Sequence, residues 1–349
     1  VNLPKSLTTI TGTSLNNCTA VAEINVAEGG VFSMKDGMLL KNGTEIVFAL
    51  RVGLSGELTL PEGVTAIGEG AFDSCTEITS VKCPSTLKSI ASNGFWGCKG
   101  LVSVTLPEGF TTLGASAFDS CSNLETVNLP STLETIEASA FNKCAKLKMV
   151  ALPAGLQKLG NKAFYGCAAM EGEMTVPCSV GESTFEGCTA LTRILVKDGA
   201  TTLGANAFKA CTALESVSLP NTITSLSPSA FAGCTALTSL TIADGGVYRV
   251  SDGLICTATQ IVGVMPYLAG EATIPEGITE IGAGAFSQNT RITAVKFPGT
   301  LTSVGQNAFY KCSALESVII PESGVETIGD NAFYSCTMLK TVTLPSTLK

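Results

Sequence analysis

The 349 residues are 45% hydrophobic, only 14% charged, carry a formal net charge of −8 and contain no histidine. This composition can bury a core along the whole chain. The 21 Lys and Arg form no run, which disfavours nucleic acid or an anionic membrane surface as partner, and the missing histidine removes Ser-His-Asp, Cys-His and all His-containing metal sites.

The chain opens on Val1-Asn2-Leu3-Pro4, neither a basic leader nor an apolar one, so a signal peptide is expected to have been removed or to lie outside this segment. No stretch of 18 apolar residues follows, so no transmembrane helix and no direct membrane insertion are expected. Residues 29–37, GGVFSMKDG, and the following MLLKNGTEIVFAL alternate around Asp36-Gly37 and Asn42-Gly43. Such pairs suit the positive φ of tight hairpin turns, and an antiparallel meander is predicted at about 27–57. A matching block, GGVYRVSDG then LICTATQIVGVMP, predicts a second at about 243–271, each covering coil edges or serving a partner.

Elsewhere the chain repeats. Phe72, Phe95, Phe118, Phe141 and Phe164 fall 23 apart, followed by Phe185, Phe208, Phe231, Phe286, Phe309 and Phe333, so that 11 of the 15 Phe share one slot, and 12 of the 14 Pro keep the same beat. The unit reads roughly L-x-x-V-x-L-P-x-x-L-x-x-I-x-x-x-A-F-x-x-C. In Leu124-Glu-Thr-Val127-Asn-Leu129-Pro130, alternation predicts a half-buried strand that Pro ends. Leu133, Ile136, Ala140 and Phe141 return inward through a short helical or 3-10 turn. One unit cannot close a core, so neighbours must stack. A shortened unit at 174–196, with PCSVGESTF between proline and phenylalanine, is expected to pinch the coil, through a tolerated deletion or a binding function.

The pattern resembles BspA-like, treponemal-type leucine-rich repeats, whose unit has 23 residues with LP after the strand and AF..C on the return. The resemblance implies an α/β fold, a right-handed, curved solenoid with a concave parallel β-sheet, here one solenoid over residues 1–349 with two hairpin or meander inserts. It also implies an extracellular or cell-surface protein of a host-associated microbe. The chain starts inside a strand and stops just after one without polar caps, as expected of a piece of a longer protein whose signal peptide and anchor lie elsewhere.

Cysteine fills one slot at Cys18, Cys75, Cys98, Cys121, Cys144, Cys167, Cys188, Cys211, Cys234, Cys312 and Cys336, with Asn289 in the remaining unit. No C-x-x-C exists, and a column of parallel side chains suits neither tetrahedral zinc nor a disulfide torsion. The slot reads as a buried structural ladder whose compact residue contacts turn backbone. Off the ladder, Cys83 reads as core, Cys256 lies in the second insert, and Cys178, ten residues before Cys188, is a free thiol or half of a disulfide with it. Asp-Gly pairs read as turns, no phosphate loop or dinucleotide fingerprint occurs, and no catalytic set, metal or cofactor is expected.

Surfaces therefore carry the expected function. Strand positions such as Ser103, Thr105, Thr126 and Asn128 are small and polar; the exceptions are Lys82, Met149, Arg193, Leu195, Lys197, Lys296 and Ile319, of which Arg193, Leu195 and Lys197 share one strand. The position after the ladder Phe holds Trp96, Tyr165, Tyr310 and Tyr334 where other units have Asp119, Asn142, Glu186 or Lys209. These are the candidate protein-binding residues, since Trp, Tyr and Arg are the usual interface anchors, although rings lying flat over neighbouring coils would look the same. The expected activity is noncatalytic recognition or adhesion towards a host protein or a second copy. The alternative is a spacer that presents an adjacent domain. Carbohydrate is a weaker partner class because the strand face lacks an aromatic platform.

Overall fold

A computed structural model describes residues 1–15, 18, 20–322, 324–346 and 348, and the chain falls into two compact units, Val1–Thr192 and Arg193–Lys349. In the first unit, strands Gly56–Thr59, Ile78–Lys82, Ser103–Thr105 and Thr126–Asn128 form one sheet. Pairing is parallel, with Val104 opposite Val81 and Val127. The one-repeat register puts every valine inward and every flanking hydroxyl outward, as strand alternation requires. Return strands Ala66–Ile67, Ser89–Ile90, Thr112–Leu113, Thr135–Ile136 and Lys158–Leu159 form a second parallel set.

That second set is extended by Glu45–Ala49, Met38–Lys41 and Phe32–Lys35, which run antiparallel to one another, while Ile46 pairs parallel with Ile67. Asp36, Gly37, Asn42 and Gly43 all have positive φ at the turns between them. The second unit repeats the arrangement. Arg249–Ser251, Leu254–Cys256 and Gln260–Val264 are antiparallel neighbours, and Ile261 joins Ile281 of the return strand Glu280–Ile281 in parallel. Its strand face comprises Ser216–Leu219 and Ser239–Ile242, preceded by the Arg193 end of Leu191–Val196. A separate sheet follows, formed by Gly270–Thr273, Ile292–Lys296, Ser317–Ile319 and Thr341–Thr343.

The α/β expectation is corrected: among the described residues the only helix is the 3-10 turn Gly12–Leu15. The cause is backbone conformation around the repeated Phe. The residues two before and two after Phe118, Ser116 and Ser120, have φ of 53° and 62°. The same pair of left-handed positions brackets the ladder Phe in most coils, for example Asn93 with Gly97 and Asn307 with Lys311. A left-handed residue on either side stops helical propagation after one turn. Instead the turn makes short local bonds, such as Cys121 N to Phe118 O, and reaches the next coil through Ser116 N to Ala138 O, Phe118 N to Ala140 O and Ser120 N to Asn142 O. These three bonds recur from coil to coil and form a third backbone ladder beside the two sheets.

Inside it the phenylalanines stack. In the first unit adjacent rings from Phe72 to Phe185 lie 4.8 to 5.6 Å apart and within 11° of parallel. The shortened unit does not interrupt this column: Phe164 and Phe185 are 5.5 Å apart at 3°, and Cys188 keeps its ladder bond to Phe164 O. The missing positions come from the return segment, whose length the turn ladder tolerates.

Candidate protein-interaction surfaces

The cysteine column is structural. Most of its thiols donate to the carbonyl of the phenylalanine one coil back, among them Cys98 to Phe72, Cys121 to Phe95, Cys144 to Phe118 and Cys234 to Phe208, these four at 3.0 to 3.1 Å. Burial in apolar surroundings raises these thiols, Cys188 and Cys234 to about 12, and holds them as donors. Asn289 performs the same task by another route, with Nδ2 donating to Leu268 O and Oδ1 accepting from Arg291 N and Ile292 N. Cys18 departs from the expectation because it is exposed. Cys83 is half-buried rather than core, and Cys178 and Cys188 are both free. Among the described residues no group of three His, Cys, Asp or Glu side chains could hold a metal.

The four aromatics after the ladder Phe are not equivalent. Trp96 is 40% exposed and Tyr334 55% exposed, whereas Tyr165 and Tyr310 are half-buried. Trp96 and Tyr165 stand three repeats apart in one column. The positions between them hold Asp119 and Asn142, whose side chains bond to each other with Nδ2 donating to Oδ2 at 3.0 Å, so those two aromatics form no joint surface. Tyr310 and Tyr334 occupy adjacent coils and stack, their centroids 5.3 Å apart at 9°. The Lys311 ammonium lies 5.1 Å from the Tyr310 ring centroid. This pair therefore forms one rigid, amphipathic platform with a cation at its edge.

Arg193 and Leu195 of the strand Leu191–Val196, and Lys197 just after it, alternate with buried Ile194 and Val196. Arg193 and Leu195 pair with Ser216 and Ser218, so on that side the two long side chains stand beside hydroxyl groups. In the separate sheet of this unit, Ile319, already an exception in the sequence, is 61% exposed and pairs with Lys296. It lines a recess of about 310 Å³ with Glu271, Lys296 and Pro321. Its signal in the sequence was an isoleucine at a position that elsewhere carries Thr, Asn, Ser or Lys, with Leu195 the one other apolar occupant among these paired strands.

The comparisons agree with this geometry. The family model described as BspA type leucine rich repeat region matches residues 47–171, 175–261 and 269–349 in six copies. A leucine-rich repeat protein from Bacteroides ovatus is 26% identical with a TM-score of 0.55, over 91% of this chain and 80% of its own. Two others resemble the fold: a leucine rich cell surface protein from Faecalibacterium prausnitzii, 20% identical, TM-score 0.54, over 90% of this chain and 95% of its own, and the pneumococcal vaccine antigen PcpA, 20% identical, TM-score 0.52, over 90% and 82%. No curated protein matches the chain in sequence. With the repeat model covering most of the sequence and the stacked parallel strands in place, the chain belongs to the BspA-type leucine-rich repeat family.

Proposed function

We propose that this chain is a noncatalytic recognition module that binds a protein partner from an extracellular or cell-surface location. The observation that carries the reading is the Tyr310–Tyr334 stack with Lys311 at its edge. Two aromatic rings already immobilised against each other lose little side-chain entropy on contact, which is what an interface anchor needs. Arg193, Leu195 and Lys197 supply a second candidate surface, with charge that orients an acidic partner. Trp96 and Tyr165, standing alone, contribute as isolated contacts. The surface location draws support from the description of the Faecalibacterium protein as a cell surface protein.

The test measures binding to a panel of immobilised extracellular host proteins, and self-association by sedimentation. It compares the parent chain with a Tyr310→Ala, Tyr334→Ala double variant and an Arg193→Ala, Lys197→Ala double variant. At least a tenfold loss for one variant, with unchanged circular dichroism, supports the reading. Binding unchanged in both variants removes these surfaces, and the absence of any protein partner together with strict monomer behaviour favours a spacer that presents another domain.

A further inference from the structure

The turn ladder of the second unit has an open rung. Donors in the neighbouring rungs of that unit are matched: Phe208 N reaches Ala230 O and Ala210 N reaches Ala232 O, while Gly284, Phe286 and Gln288 N reach Gln306, Ala308 and Tyr310 O. Between Phe231 and Phe286, where the antiparallel strands replace a turn, the register calls for Phe231 N and Gly233 N to meet the carbonyls of Ala285 and Ser287. None of these groups, nor the carbonyl of Ala283, has a hydrogen-bond partner among the described residues. All five residues line a cavity of about 640 Å³. Asn289 reflects the same gap, since its amide turns to Leu268 O instead of the Phe231 carbonyl its ladder position would reach.

The equivalent break in the first unit is closed by the chain itself. Gly12 N donates to Glu69 O and Ala49 N to Ala71 O, and the Arg51 guanidinium donates to Asp73 O at 2.8 Å. Gly12 sits so close to Gly70 that a Cβ would overlap its carbonyl carbon. Six residues before Cys234, where Gly12 stands before Cys18, the second unit has Pro228, which has neither the amide hydrogen nor the room for that contact. The segment Val264-Met265-Pro266 likewise offers no donor side chain in place of Arg51. The opening is therefore built by particular residues and is not a general property of the inserts.

We propose that this cavity is a slot for an extended segment of a partner protein that completes the missing rung, carrying an acidic side chain towards Arg291. One wall offers backbone donors at alternate residues, Phe231 and Gly233, and the other offers carbonyls at alternate residues, 283, 285 and 287, which is the pattern an added extended peptide satisfies through its main chain. Arg291 lines the slot with no partner for its guanidinium among the described residues, and no acid is among the lining residues. The volume lies within the roughly 300–1,000 Å³ range of ligand-binding clefts. This inference rests on the protein-binding reading but uses a site separate from the tyrosine platform.

The probe is the capped peptide TLGASAFDS, residues 112–120 of this chain, which carries a rung's own donors and carbonyls and the carboxylate of Asp119. Titrated into the full chain, it is expected to bind saturably and to slow amide exchange at Phe231 and Gly233 at least tenfold. A peptide N-methylated at the serine, phenylalanine and serine amides that replace Ser116, Phe118 and Ser120 should bind at least tenfold more weakly. Arg291→Gln should weaken the parent peptide several-fold and leave its Asp-to-Asn version unchanged. Ala283→Trp, at an exposed lining position, should block binding with the circular dichroism retained. The slot is overturned if the parent peptide shows no saturable binding, if the N-methylated peptide binds equally, or if the Phe231 and Gly233 amides are already protected in the free protein. In each of those cases a tyrosine-dependent partner would still stand, which separates failure of the slot from failure of the binding reading.

Discussion

Truncating Phe118 tests what holds the coils together. Its ring is fully buried and stacked on both sides, 5.4 Å from Phe95 and 5.6 Å from Phe141. Phe118→Ala should cost about 3–5 kcal/mol from lost transfer energy and the cavity left behind. Each stacked pair adds about 0.5–1.5 kcal/mol beyond area burial. Phe231 has a described ring partner on one side alone, Phe208 at 5.9 Å, and the open slot on the other. Phe231→Ala should therefore cost about 1 kcal/mol less than Phe118→Ala, the worth of one stacked pair. Urea titration followed by circular dichroism gives the totals. The single tryptophan, Trp96, immediately follows Phe95 in the coil that stacks on Phe118, so its fluorescence reports the local transition. Because a solenoid is held by nearest-neighbour interfaces, the two probes should separate in the variant if the damage stays local. A cost for Phe118→Ala below about 1 kcal/mol, or equal costs at the two sites, would refute the ladder reasoning.

Three further outcomes are expected. Stability should fall at alkaline pH: burial raises Cys75 to about 11 and Cys188, Cys234 and Cys312 to about 12 from an ordinary 9.0. A thiol whose pKa is higher in the folded state contributes stability that is complete below pH 9 and is lost as pH rises towards its folded value, at up to about 1.4 kcal/mol per pH unit for each thiol. Denaturant midpoints from pH 8 to 11 check the sign, and Cys188→Ala should flatten the slope. In the native protein a maleimide at pH 7.5 should label exposed Cys18 rapidly and the buried ladder thiols only after denaturation, as peptide mass mapping would show. Cys121→Ala should lose about 1 kcal/mol for the thiol donation to Phe95 O, with Cys121→Ser recovering part of it, measured by urea midpoint.

The period was readable without coordinates because stacked coils must present the same residue at the same place in each. A valine that points inward at position 81 requires one at 104 and 127, and the strand register confirms that correspondence. The phenylalanine and cysteine columns follow from the same demand, and so does the chemistry of Cys121, whose slot has room for a compact donor facing a turn carbonyl. The scarcity of helix among the described residues was hard to read along the chain, because Ser116 and Ser120 do not by themselves signal left-handed conformations, and the asparagine and glycine in the same slots, such as Asn93 and Gly97, signal them only when the coils are aligned. Which aromatics matter was also decided by stacking: Trp96 and Tyr165 share a column with two polar rungs between them, while Tyr310 and Tyr334 are adjacent. The slot lay furthest from view. Glycine at position 12 and proline at position 228 are ordinary loop residues in a linear reading, and only the approach of a second coil turns one into a close backbone contact and the other into an opening, since proline can neither donate the hydrogen bond nor come near enough to make it.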